Sequence, residues 1–454
     1  MINLKRLPKQ PARLAICLIV ASLLFPLPRI SAESVSVARD AASNPVADKT
    51  PVKPYSRRPS KDALKWADKQ LKQMSLEQKV GQLISVGINA TYLNQDSGAF
   101  NALRHHIVDN HVGGIILFRG AVYESVVLVN RMQELAKYPL LISADLEAGA
   151  GMRFDDTVNF PWAMATAATG NPEYARRAGD VTAREARALG VYHVYAPVAD
   201  VNNNAANPVI NVRSFGEDPA AVGRFVAAFV EGLQNAGVIA TAKHFPGHGD
   251  TAVDSHRGLP EINVTRDRLN SVELVPFRAA VNAGVGSVMD GHIALPQIDP
   301  TVITPLPRDR KVGPIDTDEG GEIVVERGTM PTTLSLKINE ILRNDLQFDG
   351  LIVTDAMSMS GLTLYFTQEE ASVRALEAGA EQLLKPADVD AAFRGVVAAV
   401  KNGRLTEQRI EQSARKILAA KYDLGLVKQR ITPINEIDRI VSGRQAGLLA
   451  EEIA

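Results

Sequence analysis

One segment of fourteen residues, KHFPGHGDTAVDSH from Lys243 to His256, concentrates groups that can transfer protons or bind a ligand. It holds three of the eight histidines of the chain, together with one lysine and two aspartates. Its glycines and proline favour an irregular loop over a helix. Asp254 lies two residues before His256, so its carboxylate can hold one imidazole nitrogen and leave the other free to transfer a proton near neutral pH. A solvated loop is the alternative for such a pair taken alone.

Metal binding is a second use for the same side chains. His244, His248 and His256 could supply nitrogen ligands, with Asp250 or Asp254 as the carboxylate, because zinc hydrolases combine the two ligand types. A lysine directly before the first of these histidines would place a positive charge beside the ion, and the sequence contains no HExxH pair. The residues alone therefore favour proton transfer and leave metal binding open.

Short apolar runs, separated by longer amphipathic stretches, predict the elements that position these groups. Near-continuous runs of Val, Ile and Leu are typical of strands that are buried on both faces of a parallel sheet. Eight alternations of strand and helix predict an α/β fold, a (β/α)8 TIM-type barrel, with a doubly wound open sheet as the competing fold. The eight runs begin at Val80, Val112, Pro139, Val191, Val238, Val285, Gly350 and Ala380.

Polar residues fall at the carboxyl ends of five of the predicted strands. A barrel brings these ends together on one face, where the active sites of such folds lie. A single aspartate at this point is commonly the N-cap of the next helix, but five polar strand ends on one face predict a ligand site. In the order of strands three to seven, the residues are Asp145; Asp200; Lys243 and His244; Asp290 and His292; and Asp355.

The motifs around these residues resemble glycoside hydrolase family 3, in its bacterial β-N-acetylglucosaminidase branch. The loop KHFPGHGDTAVDSH carries the longest match. Ala148 and Ala356 are departures, at positions where relatives have a glycine and, in some cases, a second aspartate. The resemblance covers residues 64–454. The other matching blocks are, in chain order, ADLEAGAGMR, YAPVADVN, NPVINVRSFGEDP, VMDGHIALPQID and LRNDLQFDGLIVTDAMSMSGL.

The resemblance implies a retaining glycosidase that needs no metal and no other cofactor. Asp355 falls on the catalytic nucleophile, His256 on the general acid/base, and Asp254 on the residue that orients it. His248 is expected to brace the loop, whose glycines are expected to let the dyad swing over a bound sugar. The sugar-binding positions of the family fall on Asp145, Arg213, Lys243, His244 and His292.

The substrate that the resemblance implies is a β-linked N-acetylglucosamine at a non-reducing end, as in peptidoglycan fragments or chitin oligosaccharides. Two alternatives lie within the same family, a β-glucosidase and a β-N-acetylglucosamine phosphorylase. A third alternative is a carbohydrate-binding protein without activity, against which the presence of Asp355 and His256 argues. A monomer is expected.

Composition and the first residues bear on partners and location. The net charge of −1 over 454 residues gives no basic excess of the kind that nucleic-acid partners require. Residues 1–32 combine basic residues with the apolar run Leu14–Phe25, and predict a signal peptide and an exported protein, periplasmic or extracellular. An uncleaved membrane anchor is the alternative. The only cysteine, Cys17, lies in this run, so the mature chain would have no disulfide.

The remaining boundaries follow from changes in composition. Residues 33–60 predict a flexible linker, and residues 61–428 the barrel. Residues 299–333 are rich in proline, glycine and charge, and predict an insertion between strands six and seven, with a surface excursion favoured over a lid. Residues 429–454 predict a linker and a helix that either lead into a second domain or pack on the barrel.

Overall fold

The computed structural model describes residues 52–307 and 327–454. Within these ranges, eight parallel strands form one sheet in the order β10-β1-β2-β3-β4-β5-β6-β9. A parallel bridge between Val353 and Gln382 joins the two outer strands, so the sheet closes into a (β/α)8 barrel. The barrel prediction is confirmed and the open-sheet alternative is wrong. The strands are β1 Ile84–Ile88, β2 Gly114–Leu117, β3 Leu141–Ala144, β4 His193–Val194, β5 Ile239–Phe245, β6 Ser287–Asp290, β7 Val302–Ile303, β8 Gly328–Thr329, β9 Leu351–Thr354 and β10 Leu383–Leu384.

Helices surround the barrel, and their ends follow from local sequence. Pro172 and Pro219 occupy the first turns of two long helices, where a missing N–H costs nothing. The second of these helices ends just before Gly237, whose φ of 81° suits a helix stop. The helices are α1 Lys61–Leu71, α2 Leu76–Gly81, α3 Gly98–Val108, α4 Val122–Leu135, α5 Ala163–Ala168, α6 Pro172–Ala188, α7 Pro219–Asn235, α8 Arg266–Ser271, α9 Leu274–Asn282, α10 Leu336–Glu340, α11 Ser360–Thr363, α12 Gln368–Glu377, α13 Val389–Lys401, α14 Glu407–Asp423, α15 Ile437–Ile440 and α16 Arg444–Ile453.

The barrel has two apolar layers, as its continuous apolar strands require. One large cluster fills the space between the strands and the surrounding helices. A smaller cluster lies inside the barrel, where alternate side chains of each strand point inward. Because this inner cluster is closed and buried, polar groups at the carboxyl ends of the strands rest on an apolar floor. Its members are Ile116, Tyr195, Met289, Val353 and Leu384.

Residues 52–60, which the sequence assigns to the linker, pack against the amino-terminal face of the barrel. The backbone N–H of Tyr55 donates to Gln234 at 2.8 Å, and the tyrosine ring fills the space above Gly286, where a Cβ would lie 2.6 Å from it. The backbone N–H of Ser60 donates to Asp423 at 2.8 Å. The prediction of a flexible linker is therefore wrong for these nine residues.

The predicted signal peptide, the only cysteine and the rest of the predicted linker lie outside the described residues. Within the two described ranges, the helices are too short or too polar to cross a lipid bilayer.

The predicted insertion and the carboxyl-terminal segment both contact the barrel. The described ends of the insertion form a small antiparallel pair, β7 with β8, and residues 308–326 lie outside the described residues. At the carboxyl end, α16 buries Ala446, Leu449 and Ile453. Its Glu452 forms an ion pair with Arg177 of α6 at 2.7 Å. The helix therefore packs on the barrel, and the prediction that it leads into a second domain stays a prediction.

Candidate active site

Polar residues reach the mouth of the barrel at the ends of three strands, as predicted. Asp145 directly follows β3, Lys243 and His244 lie near the carboxyl end of β5, and Asp355 directly follows β9. The fourth strand differs from the prediction, because β4 ends at Val194 and not at Asp200. The segment beyond β4 stays against β5 through a bridge from Val198 to Lys243, and this pairing carries Asp200 to the site.

Five charged side chains form a cluster that we call the charged pocket. The Nζ of Lys243 lies 2.7 Å from Asp145 Oδ1 and 2.6 Å from Glu147 Oε1. Arg213 donates two bonds to Glu147, at 2.8 and 2.7 Å, in the paired geometry that suits a carboxylate. Arg153 donates to the second oxygen of Asp145 at 2.7 Å. These bonds fix the side chains before any ligand binds.

The charged pocket is ionised at neutral pH. Burial would raise the pKa of Asp145, but Lys243 and Arg153 outweigh it and lower the pKa to about 2. Burial is likewise outweighed at Glu147, where Arg213 and Lys243 hold the pKa well below its usual range. Three cations against two carboxylates leave one net positive charge. Such a cluster offers both donors and acceptors to the hydroxyl groups of a sugar.

Two histidines of the loop surround the buried Asp200. His244 contacts Asp200 through Nδ1 at 2.8 Å and through its backbone N–H at 3.1 Å. His248 donates its backbone N–H to the same carboxylate at 2.6 Å, and its ring lies between Thr251 at 2.6 Å and Ser255 at 3.1 Å. These contacts fit the bracing role predicted for His248, whose pKa burial lowers to about 4.

The predicted dyad is formed in the structure. Nδ1 of His256 lies 2.8 Å from Asp254 Oδ1, and its backbone N–H donates to the same oxygen at 2.9 Å. Because the carboxylate accepts at Nδ1, the other ring nitrogen, Nε2, is left for proton transfer, and it has no hydrogen-bond partner among the described residues. Burial would lower the pKa of His256, but the bond and charge of Asp254 raise it above its usual value. The His256 side chain is 50% exposed, so it can meet a ligand.

The segment that carries the dyad, residues 249–258, is called here the dyad loop. It contains no helix or strand. Its first residue, Gly249, packs so closely that a Cβ would lie 1.7 Å from the carbonyl oxygen of Val201. Close packing therefore explains why this position is a glycine. The movement of the dyad loop over a bound sugar stays a prediction.

Asp355 lies among three histidines. Its backbone N–H donates to the carbonyl of Asp290 at 2.9 Å, which continues the pairing of β9 with β6 beyond the strand. Burial would raise its pKa, but His244 and the backbone N–H of Ala356, which donates to Asp355 Oδ1 at 2.7 Å, lower it, with a smaller contribution from His256. An ionised carboxylate that interacts with the His256 ring has the chemistry of a nucleophile beside a proton donor.

His292 is buried beneath the residue that follows Asp355. Its Nε2 lies 3.0 Å from the carbonyl of Ala356, and its Nδ1 lies 2.7 Å from the hydroxyl of Thr333. A carbonyl only accepts, so Nε2 carries the proton, and the neutral ring then accepts at Nδ1 from Thr333. Burial lowers the pKa of His292, in agreement with a neutral ring. The role of His292 in the sugar pocket stays a prediction.

One polar strand end points away from the site. Met289 faces the inside of the barrel, so the next residue, Asp290, faces the helices. Its charged and polar neighbours are Asn339, Arg343 and Glu381 on the outer side. Burial raises the pKa of Asp290 well above its usual range, which favours a neutral acid. The expectation that all five strand ends converge is therefore wrong for this residue.

The sequence analysis gave no role to three residues that build the site. Glu147 was detectable, because it follows Asp145 by two positions and an extended segment places such residues on one side. Arg153 belongs to the same quoted motif, ADLEAGAGMR. Thr333, the last residue of the insertion, gave no signal, because only the fold brings it to His292.

The mouth of the barrel combines a charged pocket, an Asp–His dyad and a separate ionised carboxylate, an arrangement typical of a hydrolytic enzyme. The family model described as the glycosyl hydrolase family 3 N terminal domain matches residues 75–420. The chain belongs to glycoside hydrolase family 3.

Three similar proteins illustrate this membership. The beta-N-acetylglucosaminidase/beta-glucosidase of Cellulomonas fimi is 33% identical over 393 residues, which are 87% of this chain and 65% of the relative. The structure of a family 3 beta-N-acetylglucosaminidase from Paenibacillus sp. str. FPU-7 has a TM-score of 0.72 and 35% identity, and the match covers 84% of this chain and 68% of that one. The structure of the beta-glucoside phosphorylase BglX has a TM-score of 0.73 and 29% identity, over 87% of this chain and 66% of that one. The chain thus spans about two thirds of the length of each.

Proposed function

We propose that the protein is a retaining, exo-acting β-N-acetylglucosaminidase that removes terminal β-linked N-acetylglucosamine. The observation that carries the proposal is the Asp254–His256 dyad together with the ionised Asp355 that follows β9 at the mouth of the barrel. The names of two of the similar proteins support the same activity. The substrates that fit are peptidoglycan fragments and chitin oligosaccharides.

In the first step, an oxygen of Asp355 attacks the anomeric carbon of the sugar. The glycosidic carbon–oxygen bond breaks, and Nε2 of His256 gives its proton to the departing oxygen. Asp254 stabilises the protonated imidazole before the transfer and holds its orientation. The products are a free aglycone, a neutral His256 and a sugar joined to Asp355 through an ester bond.

In the second step, water replaces the aglycone. His256 takes a proton from the water while the water oxygen attacks the anomeric carbon. The ester bond between the sugar and Asp355 breaks. Each displacement inverts the configuration of the anomeric carbon, so two in succession retain it. Most retaining glycosidases use a carboxylic acid as the proton donor, whereas here a histidine paired with a carboxylate fills that role.

The charged pocket binds the sugar in this proposal. Asp145 and Glu147 accept from hydroxyl groups, and Arg153, Arg213 and Lys243 donate to them. All five residues are already held in hydrogen bonds, so little side-chain freedom is lost on binding. His244 is held by Asp200 and is the further sugar-binding residue in this proposal.

Export is part of the proposal, since residues 1–32 have the composition of a secretory signal. An exported enzyme of this kind would act on cell-wall fragments or on chitin outside the cytoplasm. Fractionation of cells that express the full chain tests this: activity in the periplasm or the medium supports export, and activity confined to the cytoplasm opposes it.

The activity is tested with an aryl N-acetyl-β-glucosaminide, using the wild type, Asp355→Ala and, as a control, Asp267→Asn, which changes an exposed carboxylate on α8. We expect the wild type and Asp267→Asn to release the aryl group and Asp355→Ala to lose at least about 10⁴-fold in kcat. Proton NMR should show the β-anomer as the first product. A wild type that is inert on this substrate, or a first product of α configuration, would contradict the proposal.

Phosphorolysis is the second candidate, because the similar BglX structure is of a phosphorylase. A histidine acid/base also admits an anionic acceptor more readily than a carboxylate does, since it adds no negative charge of its own. Adding phosphate to the reaction separates the two: sugar 1-phosphate as the main product indicates a phosphorylase, and free sugar at every phosphate concentration indicates a hydrolase. A glucoside substrate run in parallel tests the β-glucosidase alternative.

A further inference from the structure

A cluster of two histidines and one aspartate lies outside the active site, where the first and last parts of the barrel meet. His105 and His106 belong to α3, which follows β1, and Asp390 belongs to α13, which follows β10. Since β1 pairs with β10, the two helices are neighbours where the first and last strands of the barrel meet. His105 Nε2 lies 3.1 Å and His106 Nδ1 lies 3.8 Å from the same oxygen, Asp390 Oδ1.

The spacing of these three atoms suits a small divalent cation. All three lie within 4.8 Å of one another. Ligands of tetrahedral zinc, about 2.0–2.1 Å from the metal, are about 3.3 Å apart, and the two distances to Asp390 lie on either side of that value. Two histidines, one carboxylate and a water molecule form a common zinc ligand set.

A second contact has the form expected around a metal. Nδ1 of His105 lies 2.8 Å from Asp109 Oδ2. A histidine that binds a metal usually gives its other ring N–H to a carboxylate, which fixes its orientation and increases its basicity. The Asn110 amide donates to Asp390 Oδ1 at 2.5 Å and lies 3.4 Å from Nδ1 of His106, so it lies between these two atoms. A cation that binds there displaces this amide, which turns aside about its side-chain bonds.

The side chains are accessible to an ion from solvent. His105 is 45% exposed, His106 is 20% exposed and Asp390 is 39% exposed. A histidine binds a metal only through a deprotonated ring nitrogen, so zinc binding should release protons and weaken as the pH falls.

We propose that His105, His106 and Asp390 form a zinc site that joins the first and last strand–helix units of the barrel. Water completes the four ligands, and Asp109 supports His105 from behind. The site is structural, because it lies beside the barrel and away from the charged pocket and the dyad loop. It does not depend on the proposed glycosidase activity.

The test uses the full-length protein, treated with a chelator and desalted, and ZnCl₂ as the ligand. Calorimetric titration should give one zinc per chain with a dissociation constant in the low micromolar range, and zinc should raise the melting temperature by roughly 5 °C. Titration in two buffers of different ionisation enthalpy should detect proton release. His106→Ala and Asp390→Asn should each weaken binding at least tenfold, and Asp109→Asn by about tenfold.

Asp267→Asn is the matched control, because Asp267 is an exposed aspartate in the first turn of α8, as Asp390 is in the first turn of α13. It should bind zinc as the wild type does. Two outcomes would overturn the proposal. One is the lack of any binding below about 100 μM. The other is binding of equal strength in His106→Ala and Asp390→Asn, which would place the metal elsewhere, for instance at the histidines of the active site.

Discussion

The charged pocket and the dyad loop are the two halves of the candidate site, and they are built in opposite ways. In the charged pocket, Lys243 is 2% exposed and lies between two carboxylates. In the dyad loop, His256 is 50% exposed and is held by a neighbour two residues away. The charged pocket joins residues that are far apart in the sequence, whereas the dyad loop joins residues that are close together.

Under the proposed function, this difference separates sugar binding in the charged pocket from proton transfer in the dyad loop. A buried ionic cluster lowers the reorganisation needed to bind a sugar, but each of its members depends on the others for stability. A local dyad on an exposed loop can be altered without unfolding the protein, and it can adapt to the leaving group. Mutations in the two halves should therefore differ in whether they change stability, catalysis or both.

Of the variants that compare the two halves, His256→Ala is expected to have the largest effect. Loss of general acid catalysis should lower kcat on a chitin disaccharide about 10³-fold, with the melting temperature changed by less than about 2 °C, because the side chain is half exposed. On a nitrophenyl glycoside, whose leaving group needs little protonation, the loss should be smaller. Equal losses on both substrates, measured by steady-state kinetics, would contradict the role as acid.

Lys243→Met should change both stability and binding. It leaves Asp145 and Glu147 without their shared cation, which costs about 3–5 kcal/mol of unfolding free energy for a buried pair. The remaining activity should show a KM raised at least tenfold. Urea unfolding measures the first effect, and Lys401→Met, at an exposed lysine paired with Glu77, is the control that should lose less than about 1 kcal/mol.

Asp254→Asn should shift the pH profile. Asp254 raises the pKa of His256, and His256 must be protonated in the first step, so activity is lost as the pH rises through that pKa. Without the carboxylate the pKa falls, and the alkaline limb of kcat/KM should move to lower pH, with kcat reduced roughly tenfold to a hundredfold. An alkaline limb that stays in place would assign it to another group.

The smallest effect is expected from Thr333→Val, which removes the hydroxyl that holds His292 behind Asp355. Loss of one buried hydrogen bond, about 1 kcal/mol, corresponds to about fivefold in kcat. Thr332→Val is the matched control, because Thr332 is equally buried and its hydroxyl donates to Ile293 at 2.9 Å without touching His292. Both variants should lose similar stability, and only Thr333→Val should lose kcat, with recovery in Thr333→Ser. Equal kcat in both valine variants would leave Thr333 with a purely structural role.

Much of the fold could be predicted because its signals are local. Each of the eight barrel strands lies in or at the end of an apolar run, since a strand buried on both faces must be apolar throughout. The dyad could also be predicted, because Asp254 and His256 are two residues apart and need only a loop between them.

The failures of prediction share a physical cause. Whether a polar strand end faces the site or the helices depends on the alternation of side chains and on where the strand stops, and Asp290 was misplaced for that reason. Residues 52–60 have a linker-like composition, but a few contacts with residues distant in the sequence hold them on the barrel.

The sequence by itself determined the barrel and the Asp254–His256 contact, because apolar periodicity and short spacings act within a few residues. Its motifs carried the resemblance to the family. Only the tertiary structure decided which charges share the pocket. Glu147 lies between Lys243 and Arg213, and Thr333 supports His292 from the end of the insertion. These contacts join residues from separate strand–helix units, and closure of the sheet is what brings such residues within hydrogen-bonding distance.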